Sequence, residues 1–485
     1  MYKKLLFIFV LFSSFLFSQN NTVTFANSLK TTSTDLKDAI PIVNQKNDNV
    51  SIFLMDSKKV YGYLFDGDFN IKKELSSEKR SRKYKKIIGY SISETNDYRL
   101  FLASHEDDKF ATVNFSYENN TSSLQELDLK LNKEFFLQTV VYNNTFYLIT
   151  IIKGSSILVF YKFNGNGNFE KNMVDLTNKR FINLKDKTVK LYKLFTSLYV
   201  NTLTGRYEPN EIKKIEEDNP NPIELTSEYT KMYLRNNTVI FTLDNNRNYT
   251  QIITIDLNTF SANVKQMQKP FIAIKKAIKK TNSYLFGDYV FMIAATPTQL
   301  SFTVQDYKTG EHVKKYFITS KDSITFKNTP FTQTNGKYDD YYEMENTKKF
   351  LHKIRKQNIG ISVNQDQNNY HITLGGKNEY VGNGIPTTMS KDGFSIASFG
   401  YFNPTFFAYS SYTNTKSIYF TSLFDENFNH VKGKVPENIF NKIENFKEDF
   451  NTSTNGETVF RYKDYYFYGH YKSSSKEYTL VKIKG

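Results

Sequence analysis

The chain has no cysteine and no tryptophan in 485 residues, only 10 prolines and 21 glycines, and no long apolar run after its first residues. Without cysteine there can be no disulfide framework, no thiolate catalysis, no thiolate metal site and no lipid-modified N-terminal cysteine. Without tryptophan, aromatic packing falls to 35 tyrosines and 43 phenylalanines. The stability of such a chain must come from burial, and its length is ample for a large core.

The one concentrated apolar run opens the chain. Lys3 and Lys4 precede Leu5 to Phe17, and Ser18 precedes a polar continuation in "MYKKLLFIFVLFSSFLFSQNN". A basic start, a short apolar stretch and a small residue are the marks of a secretory signal, here expected over residues 1–18 with Gln19 first in the mature chain. The run is shorter than the roughly 20 residues that span a bilayer. The expected product is therefore exported, with no transmembrane segment after cleavage, to the periplasm or outer membrane or, alternatively, outside the cell. Formal net charge is +15, with Lys3 and Lys4 the only charges in residues 1–18, so the mature chain carries 15 − 2 = +13. Such a balance favours acidic partners, although abundant Lys, Asn, Ile, Phe and Tyr also read as AT-rich coding bias.

A repeat follows. "GYLFDGDFNIKKEL" at 62 returns as "FYKFNGNGNFEKNMVDL" at 160 and "FTSLFDENFNHVKGKV" at 420, with looser copies at 113, 253 and 303. Each is an alternating strand, an Asp/Asn/Gly turn and a second strand. Turns fall near Asp66, Tyr117, Asn164, Asn258, Lys308 and Asp425, a spacing close to fifty residues or its double. Asp66, Asp68 and Asn70 alternate as in a calcium loop, but the sixth and twelfth positions are Ile71 and Ser77 instead of Gly and Glu. They read as a turn, and no metal or cofactor is expected.

This rhythm resembles a β-propeller, and the leader, Gln19 and codon-biased composition resemble secreted proteins of the Bacteroidota. The resemblance implies an all-β ring of seven or eight four-stranded blades over 37–485, with residues 19–36 available to close it. Tandem β-sandwiches are the alternative. Three segments break the rhythm. "RYEPNEIKKIEEDNPNPIEL", 206–225, reads as an exposed loop because of its prolines and charges. Residues 338–384 read as a small α/β insertion, with Met344, Thr347, Leu351 and Ile354 on one helical face, Glu343 and Glu345 in the first turn, and strands at 359–363 and 370–374. Residues 435–450 read as a helical excursion with Pro436 near its first position and Ile439, Ile443, Phe446 and Phe450 on one side.

Loops on a rigid scaffold are where binding concentrates. The candidates are Tyr338, Asp339, Asp340, Tyr341 and Tyr342, able to take a cation, a glycan or a protein, and the basic run holding Lys79, Arg80, Arg82 and Lys83, suited to an acidic polymer or acidic protein. The plainer reading of both is a solvated loop, as it is for the shorter basic run at 274–280. The six histidines show no metal spacing, and no nucleophile elbow or phosphate loop is present. The chain is expected to be a non-enzymatic scaffold of the cell envelope that binds a protein partner, with an accessory of an outer-membrane secretion machine as one case. No nucleic acid is expected, and a glycan-binding or glycan-active propeller is the alternative.

Overall fold

In a computed structural model the chain is described over residues 22–27, 38–56, 58–78, 83–84, 86–200, 207–209, 211–272, 279–334, 342–366, 369–377, 403–448 and 455–485. The expected leader, 1–18, lies outside these residues.

Seven sheets of four or five strands account for most of the described chain. In blade 1 the strands Asp38–Val43, Val50–Met55, Val60–Phe65 and Ile71–Ser76 form an antiparallel meander. The first three are almost wholly buried and the fourth is exposed. The three apolar strands lie between neighbouring blades, and the polar fourth lies at the rim. Blades 2 (86–127), 3 (134–175), 4 (230–268) and 5 (280–319) repeat the meander, with blade 4 gaining an extra strand.

A sheet with two apolar faces needs a cover on each, and the buried clusters show that each blade covers the next. Ile40 and Phe53 of blade 1 join Leu100 and Val113 of blade 2. Ile88 and Phe101 of blade 2 join Phe146 and Phe163 of blade 3, with the Phe101 and Phe146 rings stacked at 4.1 Å. Gly89 permits that approach, since a Cβ there would stand 2.2 Å from the Phe146 ring. Ile149 and Phe160 meet Phe241 and Ile253 of blade 4, and one larger cluster runs from Tyr233 through Phe291 and Ile361 to Val459. The last blade then returns to the first, where Phe467 stacks on Phe69 at 4.2 Å. The sheets close a circle, and the fold is a seven-bladed β-propeller.

Closure is made by the two ends of the described chain. Blade 7 holds Asn455–Tyr462, Tyr465–Lys472 and Glu477–Lys484, and Thr22–Ala26 pairs antiparallel with the last of these as its outer strand, from Thr22 opposite Val481 to Ala26 opposite Glu477. Phe25 from this strand packs against Tyr63 (4.5 Å), Phe65 (5.4 Å) and Tyr478 (5.5 Å), so it joins blade 7 to blade 1.

The recurrent turn at the end of the third strand is closed by its own side chain. Asp66 Oδ1 accepts from the N–H groups of Asp68 (3.0 Å) and Asn70 (2.9 Å). Asn164 does the same with Asn166 and Asn168, and Asp425 with Asn427 and Asn429. These amide hydrogens hold the Asp66 and Asp425 carboxyls below the usual carboxylate range. Phe69 and Phe428 occupy the left-handed position of their turns, at φ 63° and 57°, and are buried there. The alternating acids are turn chemistry.

Blade 6 departs from the expected outline. Strands Asn358–Asp366 and Asn369–Lys377, expected in an insertion, are its first two strands, followed by Ser417–Phe424. Its fourth strand, Phe331–Gln333, precedes them in sequence, so the order of pairing is not the order of the chain. The helix is Thr347–Ile354, capped by Asn346, whose side chain accepts from Lys349 N–H, and Phe350 stacks on Phe331 at 4.8 Å. Thr347, Leu351 and Ile354 are on its buried face, while Glu343 and Met344 belong to the edge strand Tyr342–Met344 and Glu345 precedes the cap. The second helix runs Ile439–Glu448 and its opening is held by Asn438, which accepts from Phe440 and Asn441 N–H, instead of by Pro436. Phe450 is outside the described residues.

Between blades 4 and 5 a charge cluster is shut off from water. Asp244 accepts from Lys231 at 3.0 Å and Lys269 at 2.9 Å, and all three side chains are 0% exposed. Thr250 and Ser283 hydroxyls complete the carboxylate's acceptor sites, and Lys231 also reaches Asn282 and the Glu228 carbonyl. Burial pushes Lys269 down to about 8, whereas burial pushes Tyr63, Tyr98 and Tyr466 up to about 12.

Phe25→Ala should cost about 3–5 kcal/mol of unfolding free energy, the usual cost of deleting a buried phenyl ring, read as a lower urea midpoint. On titration, the lysine makes the unfolded chain the better proton binder between pH 8 and 10.5, so its contribution to stability rises with pH. The tyrosines do the reverse, because the unfolded chain loses their protons from pH 10 while the folded chain keeps them to about 12. Stability should therefore hold or rise from pH 8 to 10 and fall beyond it, with tyrosinate absorbance appearing together with loss of circular dichroism.

Candidate functional site

Tyr338, Asp339, Asp340, Tyr341, Lys79, Arg80 and Arg82 lie outside the described residues, as do 273–278 of the second basic run. Tyr342 is 64% exposed on a three-residue edge strand opposite Gln333. Lys83 is engaged within the protein: its ammonium meets Glu126 at 3.1 Å and lies 4.9 Å from the Tyr84 ring centre. Lys279 turns inward and donates to the Pro270 carbonyl.

The site that the structure does assemble comes from the segment expected to be an exposed loop. Ile212–Ile215 pairs in parallel with Thr230–Arg235 as an extra innermost strand of blade 4. Gln138, on the first strand of blade 3, donates to the Ile212 carbonyl. Asn221 donates to Tyr284 Oη of blade 5 and its carbonyl accepts from Ser362 of blade 6. Tyr466 of blade 7 donates to Asn219 Oδ1. A stretch of about ten residues can touch five blades only at the axis. Asn219 and Asn221 are correspondingly buried. The prolines and charges mislead because the axis is a polar interior, where ion pairs and carbonyls take the place of water.

A second segment joins it. The helix Pro404–Thr413 is apolar on more than one side, as suits a helix surrounded by protein. Asn403 caps it, Thr405 donates to Glu216, and Phe407 lies under the Lys213 ammonium at 5.2 Å. At its far end Glu224 gathers Thr415, Ser417 and the Lys416 N–H. These two segments occupy the centre of the ring.

Below them lies an open basin of about 840 Å³. Its roof is the turn Glu216, Glu217, Asp218 and Asn219, and its wall includes Tyr90, Arg235, Phe286, Asp288, Phe460 and Arg461. Glu217 takes a two-pronged contact from Arg235 and the Gly287 N–H. Asp218 is paired with Arg461, and Glu216 accepts from Thr405 and Asn219. Burial, with the Glu216 charge beside it, raises the Tyr90 hydroxyl well above its ordinary range. Burial pushes Lys214 down to about 8, opposed by Glu216. Four carboxylates face two guanidiniums, so the basin is acidic in a strongly basic chain. Its rim is the end of the ring where first and second strands join: the neighbouring loops touch through Asn44 and Asn96, Asn44 and Asn144, and Lys46 and Glu94. Among the described residues no group of three or more histidine or acidic side chains is placed to hold a metal.

No protein-family profile matches the chain, and no curated protein matches it. Solved structures do resemble it. A prolyl endopeptidase, one of two analysed for inter-domain dynamics in catalysis and specificity, aligns at a TM-score of 0.36 and 8% identity, over 93% of this chain and 50% of that one. The chain thus spans about half the length of that enzyme. The Dos1 propeller aligns at 0.32 and 9% identity over 95% and 93% of the two chains. The Nup133 β-propeller domain of Vanderwaltozyma polyspora aligns at 0.32 and 10% identity, over 95% and 97%.

The pairing of Arg235 with Glu217 is expected to be worth on the order of 1–3 kcal/mol as a coupling energy. A double-mutant cycle with Arg235→Met and Glu217→Gln, followed by urea unfolding, measures it.

Proposed function

We propose that this protein is an exported, non-catalytic binding propeller of the cell envelope, of the kind secreted by Bacteroidota, and that the axial basin receives a basic segment of a protein partner. The observation that carries the reading is the occupied axis. The chain's own segments fill the centre of the ring and present a shallow, fixed, acidic recess at one end. Its carboxylates are held by arginines, hydroxyls and amides, which suits them to binding a cation more than to exchanging protons. Glu216, beside Lys214, and Asp288 make no salt bridge with a described residue, and Tyr90 and Phe286 offer apolar surface beside them. An accessory role at an outer-membrane secretion machine fits such a docking surface.

One feature favours a second reading, that of a glycan-binding propeller: rings and acids share the basin, the pairing that sugars use when a flat apolar face and hydroxyls are bound together.

The test is recovery of a partner from envelope extracts by the wild type and by the double variant Glu216→Gln, Asp288→Lys. A specific partner should be retained by the wild type and lose about tenfold in affinity with the variant. Equal recovery by both forms rejects the basin as the docking site. Competition by a defined oligosaccharide, lost in the same variant, would select the glycan reading. Protease shaving of fractionated cells tests the compartment.

A further inference from the structure

We propose that the end of the ring opposite the basin docks on an anionic lipid surface. This rests on a different part of the molecule and does not depend on the basin reading. The link from blade 3 to blade 4 carries Lys179, Arg180, Lys185, Lys187, Lys190 and Lys193, with Asp186 as the one acid between Lys179 and Lys193. All six cations are exposed, and none makes an ion pair with a described residue.

The link is held firmly. Phe181, Leu191, Leu194 and Phe195 are buried, and Ser156 and the Ser155 carbonyl accept from the N–H groups of Leu191 and Tyr192. Its turn is tied to the loop between the second and third strands of blade 4, since Asn246 donates to the Asn183 carbonyl and to Asp186. Lys269 in turn donates to the Asn246 carbonyl, which brings in the loop leading to blade 5. In an antiparallel meander these loops all lie at the end away from the first hairpins, hence away from the basin.

Apolar side chains stand among the cations. Leu184 is 50% exposed at the tip of the link, Phe271 is 73% exposed on the loop beside it, and Phe135 is 41% exposed at the same end of blade 3. A dissolved polyanion would satisfy the lysines and leave these three in water. A lipid surface satisfies both, attracting the cations to its headgroups and taking the apolar side chains into the interfacial layer. With this end on the surface, the acidic basin at the other end faces away from it.

The experiment is co-sedimentation of the full chain with vesicles of phosphatidylcholine alone and of phosphatidylcholine with phosphatidylglycerol, at low and high salt. Binding to the anionic vesicles should be at least about tenfold tighter and should weaken with salt. Lys185→Glu with Lys187→Glu should lower it about tenfold or more. Leu184→Ser with Phe271→Ser should lower vesicle binding severalfold and leave retention on heparin unchanged. These positions are exposed, and circular dichroism checks the fold of each variant. Equal binding to neutral and anionic vesicles, or heparin binding without vesicle binding, overturns the proposal; the second outcome would reassign the patch to a soluble polyanion.

Discussion

The structure depends on a constraint of geometry: every blade has two apolar faces and can cover neither by itself. Stacking in a line would leave the first and last faces in water. Bending the stack into a circle removes both, provided that the last blade reaches the first. Here that contact is made by aromatic rings, with Phe25, Phe65, Phe69, Phe467 and Tyr478 in one cluster. No covalent bond assists, since the chain has no cysteine. The closing strand is only five residues long, so the contribution of its hydrogen bonds is modest and the buried ring of Phe25 becomes the decisive part of the seam.

The same constraint explains what could be read in advance. Periodicity is a local property, and the spacing of close to fifty residues and the Asp66 turn both follow from contacts within one module. The strand-order exception in blade 6 does not. Phe331–Gln333 pairs with a strand more than eighty residues later, and nothing near Phe331 announces it. Two helices were legible in position because Leu351 and Ile354, or Ile439 and Ile443, recur at helical spacing, whereas Pro404–Thr413, apolar on more than one side, shows no such stripe. The first residues of those two were not, since Asn346 and Asn438 cap them in preference to the acids and proline that composition suggests.

The site was the least legible part. A run such as "EIKKIEEDNPNP" has every mark of a surface loop, and composition treats polar as equivalent to wet. At the axis of a ring the two differ. The three acids of the turn are each engaged by another segment: Glu217 by Arg235, Asp218 by Arg461, and Glu216 by Thr405. Asp244 with Lys231 and Lys269 shows the same principle carried to complete burial, where the carboxylate is held by two ammonium groups and two hydroxyls. Pairs of this kind add little to stability against an apolar alternative, but breaking one is costly, so they select a single arrangement of the segments that bear them. That is how an irregular stretch can be held at the centre of seven regular sheets.

Net charge hides the other half of the organisation. A formal +15 suggests an evenly basic particle, yet the basin and the link from blade 3 to blade 4 differ in sign. Turns closed by Asp66, Asp256, Asp306 and Asp425 project at the basin end, because an aspartate there caps two amide hydrogens and stabilises a tight reversal. The link from blade 3 to blade 4 needs no such turn, and its exposed positions are free to be lysine. These two features therefore set an acidic surface and a basic one at opposite ends of the axis. A disc of this kind has an orientation in any electric field it meets, and its two ends offer different chemistry to whatever lies above and below it.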